Sequence, residues 1–86
     1  MTEPSLPYPA AEISRRAAEI LAARVREAGW SLVDLAECGG RTIPYWSRRL
    51  KSRQTPLTLE DLQVICDLLL IDPNSILVEI WPTKTP

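Results

Sequence analysis

The chain has 86 residues, 45% of them hydrophobic and 24% charged, with a net charge of −1. That suffices for one domain with a small core, and no apolar run approaches the roughly 18 residues of a membrane span, so no membrane partner is expected. Histidine is absent, which removes the serine and cysteine triads, His-ligated zinc and the usual general base near neutral pH, so no enzyme is expected.

The two cysteines, Cys38 and Cys66, form no CxxC pair and read as small hydrophobes rather than a disulfide or metal framework. Nothing calls for a metal, a cofactor or a small-molecule ligand. Met1 to Pro9 has neither the basic start nor the apolar stretch of a signal peptide, and a cytoplasmic location is the expectation.

Residues 1–9, with Pro4, Pro7 and Pro9, read as a flexible arm. From Glu12 to Ala28 the apolar positions Ile13, Ala17, Ile20, Leu21, Val25 and Ala28 recur at helical spacing. Glu12–Arg16 and Arg15–Glu19 fall at i,i+4 on the other side, and Gly29 ends this first helix. Trp30 is expected to cover the junction with the next. Ser31 with Asp34 forms a short capping box for a second helix through Leu32, Leu35 and Ala36 to Glu37, cut short by Gly39-Gly40.

Thr42 as N-cap and Pro44 in the first turn open a third helix that runs to about Lys51. Ser52 to Leu57 is a loop. A second capping box, Thr58 with Asp61, starts a fourth helix with Leu62, Ile65, Cys66 and Leu69 inward. Asp72-Pro73 then opens a short fifth helix over about Pro73 to Ile80, and Trp81 to Pro86 read as a loose tail. No segment alternates strictly over more than four residues, so the expectation is an all-α fold of five short helices. Ile13, Ile20, Leu35, Trp46, Leu62, Ile65 and Leu69 are expected inside it.

On a 100° wheel with Trp46 and Leu50 inward, Ile43 lies about 40° from the centre of the buried stripe. Arg41, Pro44, Tyr45, Arg48, Lys51 and Ser52 point outward on that wheel, with Ser47 and Arg49 on the flanks. The charge is also uneven. Between Glu37 and Glu60 there is no acid, while Arg41, Arg48, Arg49, Lys51 and Arg53 all lie there, and the rest of the chain carries −6. A near-neutral chain with one basic stretch has the electrostatic footprint of a nucleic-acid binder.

The stretch from Ser31 through Leu35-Ala36, Gly40 and Ser47-Arg48 to Leu50 resembles the helix-turn-helix of the lambda-repressor and Cro (XRE-like) family. Leu62 to Pro73 resembles that family's fourth helix and its entry to the fifth. The likeness covers roughly residues 12–80. It implies a compact five-helix lambda-repressor-like domain over residues 10–81, between the arm at 1–9 and a tail at 82–86. It implies a small Cro-like transcriptional repressor, of phage or prophage kind, that binds double-stranded operator DNA as a homodimer. Thr42, Pro44, Tyr45, Ser47 and Arg48 would read bases, with Arg48 suited to a bidentate pair with guanine. Ser31, Arg41, Arg49, Lys51, Ser52 and Arg53 would contact phosphates. Gly40 belongs in the turn, where a positive φ costs glycine nothing.

Four positions depart from the family pattern. Arg41 stands where a small aliphatic residue usually plugs the core, Leu70 replaces the glycine that ends the fourth helix, and Leu32-Val33 replace polar residues. Val64, Leu68, Leu70 and Trp81 are apolar beyond the inner stripe, and form either a dimer surface or the seat of the fifth helix. Two other functions fit the same fold: an antitoxin whose tail or Val64/Leu68 face binds a toxin, and a protein-interaction module that has lost DNA. Arg48 and the acid-free stretch speak for DNA against the latter.

Overall fold

A computed structural model describes the backbone of residues 10–81 and the side chains from Glu12 onward. The arm, with Pro9, and the tail beyond Trp81 lie outside the described residues. Among those described there are five helices and no strand, a compact all-α fold.

Helix α1 (Ala10–Glu27) leads to α2 (Leu32–Gly39), then α3 (Ile43–Trp46), which widens without a break into five residues of π-helix, Ser47–Lys51. After a loop come α4 (Leu59–Leu69) and α5 (Pro73–Ile80). The helix starts follow from local chemistry. Ser31 and Asp34 exchange side-chain and backbone hydrogen bonds, as do Thr58 and Asp61, so both capping boxes are complete. The bonds from the Ser31 backbone and hydroxyl hold the Asp34 carboxyl below the usual carboxylate range. Thr42 Oγ1 accepts from the Tyr45 N–H, and Asp72 accepts from the Asn74 N–H. Helix α2 continues two residues past the expected Glu37, because Gly39 keeps a helical backbone and only Gly40 turns left-handed, at φ 70°.

Helices α1 and α4 end in the same way. Trp30 N–H reaches back to Val25 O and Gly29 N–H to Arg26 O, each at 3.0 Å. At the end of α4, Ile71 N–H bonds Cys66 O at 2.8 Å and Leu70 N–H bonds Asp67 O at 3.4 Å. Both are Schellman turns, which need one left-handed residue. Gly29 supplies it for α1 at φ 78°, but Leu70 supplies it for α4 at φ 58°, with its side chain 92% exposed. A left-handed Leu costs about 1–2 kcal/mol, and glycine returns part of that as unfolded-chain entropy. Leu70→Gly is therefore expected to stabilise the domain by about 0.5–1 kcal/mol, read as a higher urea midpoint at unchanged m. A lower midpoint would mean that Leu70 is covered in solution.

Helix α1 packs on α5, on the π-helical segment and on α4, while α2 packs on α3 and α4. The core is Ala17, Ala18, Leu21 and Val25 of α1, Leu35 of α2, Trp46 and Leu50, then Leu62, Ile65 and Cys66 of α4, and Ile76 and Ile80 of α5. Leu35, Trp46, Leu62 and Ile65 are inside as the spacing predicts. Ile13 and Ile20 are only half-buried, since they lie roughly 100° around α1 from the centre of its buried stripe. Leu69, the last residue of α4, is half-buried too, as is Trp30. Cys66 is buried but Cys38 is exposed, so only one of the two is a core hydrophobe. Glu19 pairs with Arg53 rather than with Arg15. Arg16 turns to the end of α5, donating to Glu79 O and Ile80 O at 3.1 and 3.3 Å, next to the Arg24–Glu79 ion pair.

The surplus apolar residues do not form one patch. Val64 and Leu68 are half-buried against the core, Val64 lying against Gly39 of α2. Leu70 and Trp81 are both exposed, the first at the end of α4 and the second at the end of α5. Val64 and Leu68 thus pack partly against the core, while Leu70 and Trp81 stand exposed.

Candidate nucleic-acid interface

The acid-free stretch of the sequence is not acid-free in space. The first turn of α4 returns two carboxylates to α3: Glu60 pairs with Arg41, and Asp61 Oδ2 lies 2.9 Å from Arg49 Nε. Arg53 reaches across to Glu19 of α1 at 3.4 Å. Arg48 and Lys51, both exposed, make no ion pair among the described residues. Of five cations in the stretch, these two keep their charge uncompensated.

Asp61 is the centre of the arrangement. It is fully buried, and its carboxylate accepts from the Tyr45 hydroxyl at 2.5 Å and from the Thr58 N–H at 3.1 Å, besides pairing with Arg49. A buried charge persists only when it is paired and hydrogen-bonded in this way. The Tyr45 ring meets Trp46 edge-on, with centroids 5.2 Å apart. The Arg49 guanidinium lies 3.6 Å from the Tyr45 ring centroid and the Arg41 guanidinium 5.1 Å from it. Burial, and then the bond to Asp61, raises the Tyr45 phenol above its ordinary range.

Four wheel placements, Arg41 and Tyr45 outward, Arg49 on the flank and Ile43 inward, are corrected by this cluster and by the π turn. Tyr45 and Arg49 face α4, and Arg41 is half-buried against Tyr45, whereas Ile43, set inward on the wheel, is 43% exposed. The wheel assumed 100° per residue throughout. From Ser47 the backbone bonds i→i+5, with Ser52 N–H donating to Ser47 O at 3.0 Å. Each residue then turns by roughly 80°, which moves the centre of the Trp46/Leu50 stripe by roughly 35° toward Tyr45 and away from Ile43.

Of the other expected base readers, Thr42, Pro44 and Arg48 are exposed and Ser47 is half-buried. Of the expected phosphate contacts, Ser31, Lys51, Ser52 and Arg53 are exposed. Ser31 and Lys51 line one cleft of about 200 Å³ with Trp30 and Leu50, so the start of α2 and the end of the third helical segment share an edge. Among the described residues no three His, Cys, Asp or Glu side chains group as a metal site, and no helix is long and apolar enough to cross a membrane.

Sequence reasoning read Asp61 only as a capping residue and Gly39 only as a helix stop. A Cβ on Gly39 would lie 3.2 Å from the Trp46 ring and 3.4 Å from Val64, so this glycine is where α2 and α3 touch. The close approach shows in no local pattern, although a helical glycine beside a capping one was a hint. In comparisons with known proteins the chain matches no family model and no curated sequence.

Proposed function

We propose that this chain is a sequence-specific double-stranded DNA-binding regulator of transcription, Cro-like, that represses by occupying an operator. Helix α2, the turn at Gly40 and α3 would serve as its helix-turn-helix. The observation that carries the reading is the pair Arg48 and Lys51, two exposed and unpaired cations on a helix whose other side is locked to α4. Thr42 and Pro44 at the exposed start of α3 complete the reading surface, and Ser31, Ser52 and Arg53 the phosphate contacts. A homodimer on two half-sites fits a domain too small to specify a unique site alone, and the exposed Leu70 and Trp81 are its contact candidates. The same exposed side chains favour a toxin partner as the second reading.

Arg48 and Lys51 separate base reading from phosphate contact. On a duplex selected from a random pool, Arg48→Ala is expected to cost about 1–3 kcal/mol and to relax preference at one base pair, a G·C. Lys51→Ala is expected to weaken selected and scrambled duplexes alike, and to shallow the slope of log K against log salt by about one per chain. Salt titrations of both variants on both duplexes make the comparison. Equal weakening of both duplexes by Arg48→Ala would make Arg48 a phosphate contact, and failure of wild type to bind any duplex would remove the reading.

A further inference from the structure

A second cleft, of about 200 Å³, opens between α1 and the segment that follows Arg48. Ser14 and Arg15 line one wall, and Arg49, Arg53, Gln54 and Thr55 the other. Three guanidinium-bearing residues and three hydroxyl- or amide-bearing residues therefore converge, and among the described residues no carboxylate lines the space.

The charges do not cancel. Arg49 is balanced by Asp61 and Arg53 by Glu19. The helical spacing predicts that Glu19 serves Arg15, but Arg53 takes it, and Arg15 makes no ion pair among the described residues. One cation is left over at the cleft. Arg53 meets α1 from a left-handed backbone at φ 57°, a conformation that a non-glycine residue holds only when its surroundings impose it. A single uncompensated guanidinium with neutral donors beside it suits a singly charged oxyanion, which arginine can hold through two parallel N–H bonds.

We infer that this cleft binds a phosphoryl oxyanion, supplied by a phosphodiester of the duplex backbone beside the α3 contact, with Arg15 as the residue that holds it. The source of the phosphate rests on the DNA-binding reading above; the cleft itself does not. Helix α1 then becomes part of the contact surface through Arg15.

The test uses the full chain and two variants, Arg15→Gln and Arg15→Lys, at an exposed position where far-UV dichroism will confirm folding. In the first arm, binding to the selected duplex is followed over a range of salt. Arg15→Gln is expected to shallow the log–log slope by about one per chain, with preference between duplexes unchanged, and Arg15→Lys to keep the wild-type slope. In the second arm, inorganic phosphate is titrated while the Gln54 and Thr55 amide resonances are followed. A slope change with Gln but not Lys supports the cleft with the duplex as source. An unchanged slope, with phosphate-dependent shifts in wild type that Arg15→Gln abolishes, supports the cleft with a free phosphorylated molecule as source. Neither a slope change nor shifts overturns the inference. Should wild type bind no duplex, the DNA-binding reading fails and the phosphate arm alone decides the cleft.

Discussion

Trp46→Ala is expected to lower the unfolding free energy by about 3–5 kcal/mol, the range for deleting a buried aromatic side chain. The indole is fully buried, lies against Gly39 of α2 and meets the Tyr45 ring edge-on, so its removal opens a cavity where α2, α3 and α4 join. A domain of this size has on the order of 5–10 kcal/mol in total, and the variant should be largely unfolded near body temperature. Trp46→Phe is the control. The indole Nε1 is buried without a hydrogen-bond partner, and leaving such a donor unpaired costs about 1–3 kcal/mol. Phe loses some packing but sheds that penalty, so its melting temperature should fall far less. Equal losses for Ala and Phe would mean that the indole N–H is bonded in solution.

Asp61→Ala should cost about 3–5 kcal/mol by a different route. Removing the carboxylate strands two donors, the Tyr45 hydroxyl and the Thr58 N–H at the start of α4, and leaves the Arg49 guanidinium without its counter-charge. Breaking a buried pair from one side is more damaging than never having built it, because the remaining charge is left desolvated. Arg49 is 15% exposed and can swing partly into water, which places the expectation toward the lower end. A double-mutant cycle with Arg49→Met checks the mechanism by urea titration. The double variant should be more stable than the sum of the single losses predicts, since it removes both the charge and its partner. Additive losses would show that Asp61 acts through its cap and the Tyr45 hydroxyl rather than through Arg49. Tyr45→Phe should cost about 1.5–3 kcal/mol, the value of one hydrogen bond to a charged group.

The same cluster bears on the proposed interface. Arg49 and Arg41 lie against the Tyr45 ring while Asp61 takes its hydroxyl, so α3 is fixed in rotation against α4. Arg48 and Lys51 gain their orientation from that clamp. A side chain aimed by a rigid element loses less freedom on contact with a base or a phosphate than one on a mobile loop.

The sequence by itself determined the helix count, nearly every helix boundary and the caps, because those depend on neighbours within four or five residues. Ser31–Asp34, Thr58–Asp61, Thr42 and Asp72 each satisfy N–H groups that no preceding turn can reach, and Gly29 and Gly40 take up positive φ where the chain reverses. Their side chains carry out their roles whatever the rest of the molecule does. The inner stripe of α4 was legible for a similar reason, its period being that of the helix.

Only the tertiary structure decided which cations stay free. Glu60 and Asp61 follow the basic stretch in sequence but fold back over it, so charges separated along the chain are neutralised across α3 and α4. The inward direction of Tyr45 depended on a buried carboxylate sixteen residues away and on a π turn that follows it, which swings Leu50 and with it the buried stripe toward Tyr45. Arg15 lost its helical partner to Arg53 because the loop brings that guanidinium within reach of Glu19. Composition and spacing locate charges along a chain. Which of them remain unpaired is settled when the helices pack, since a charge taken from water must find its partner among whatever the fold brings near.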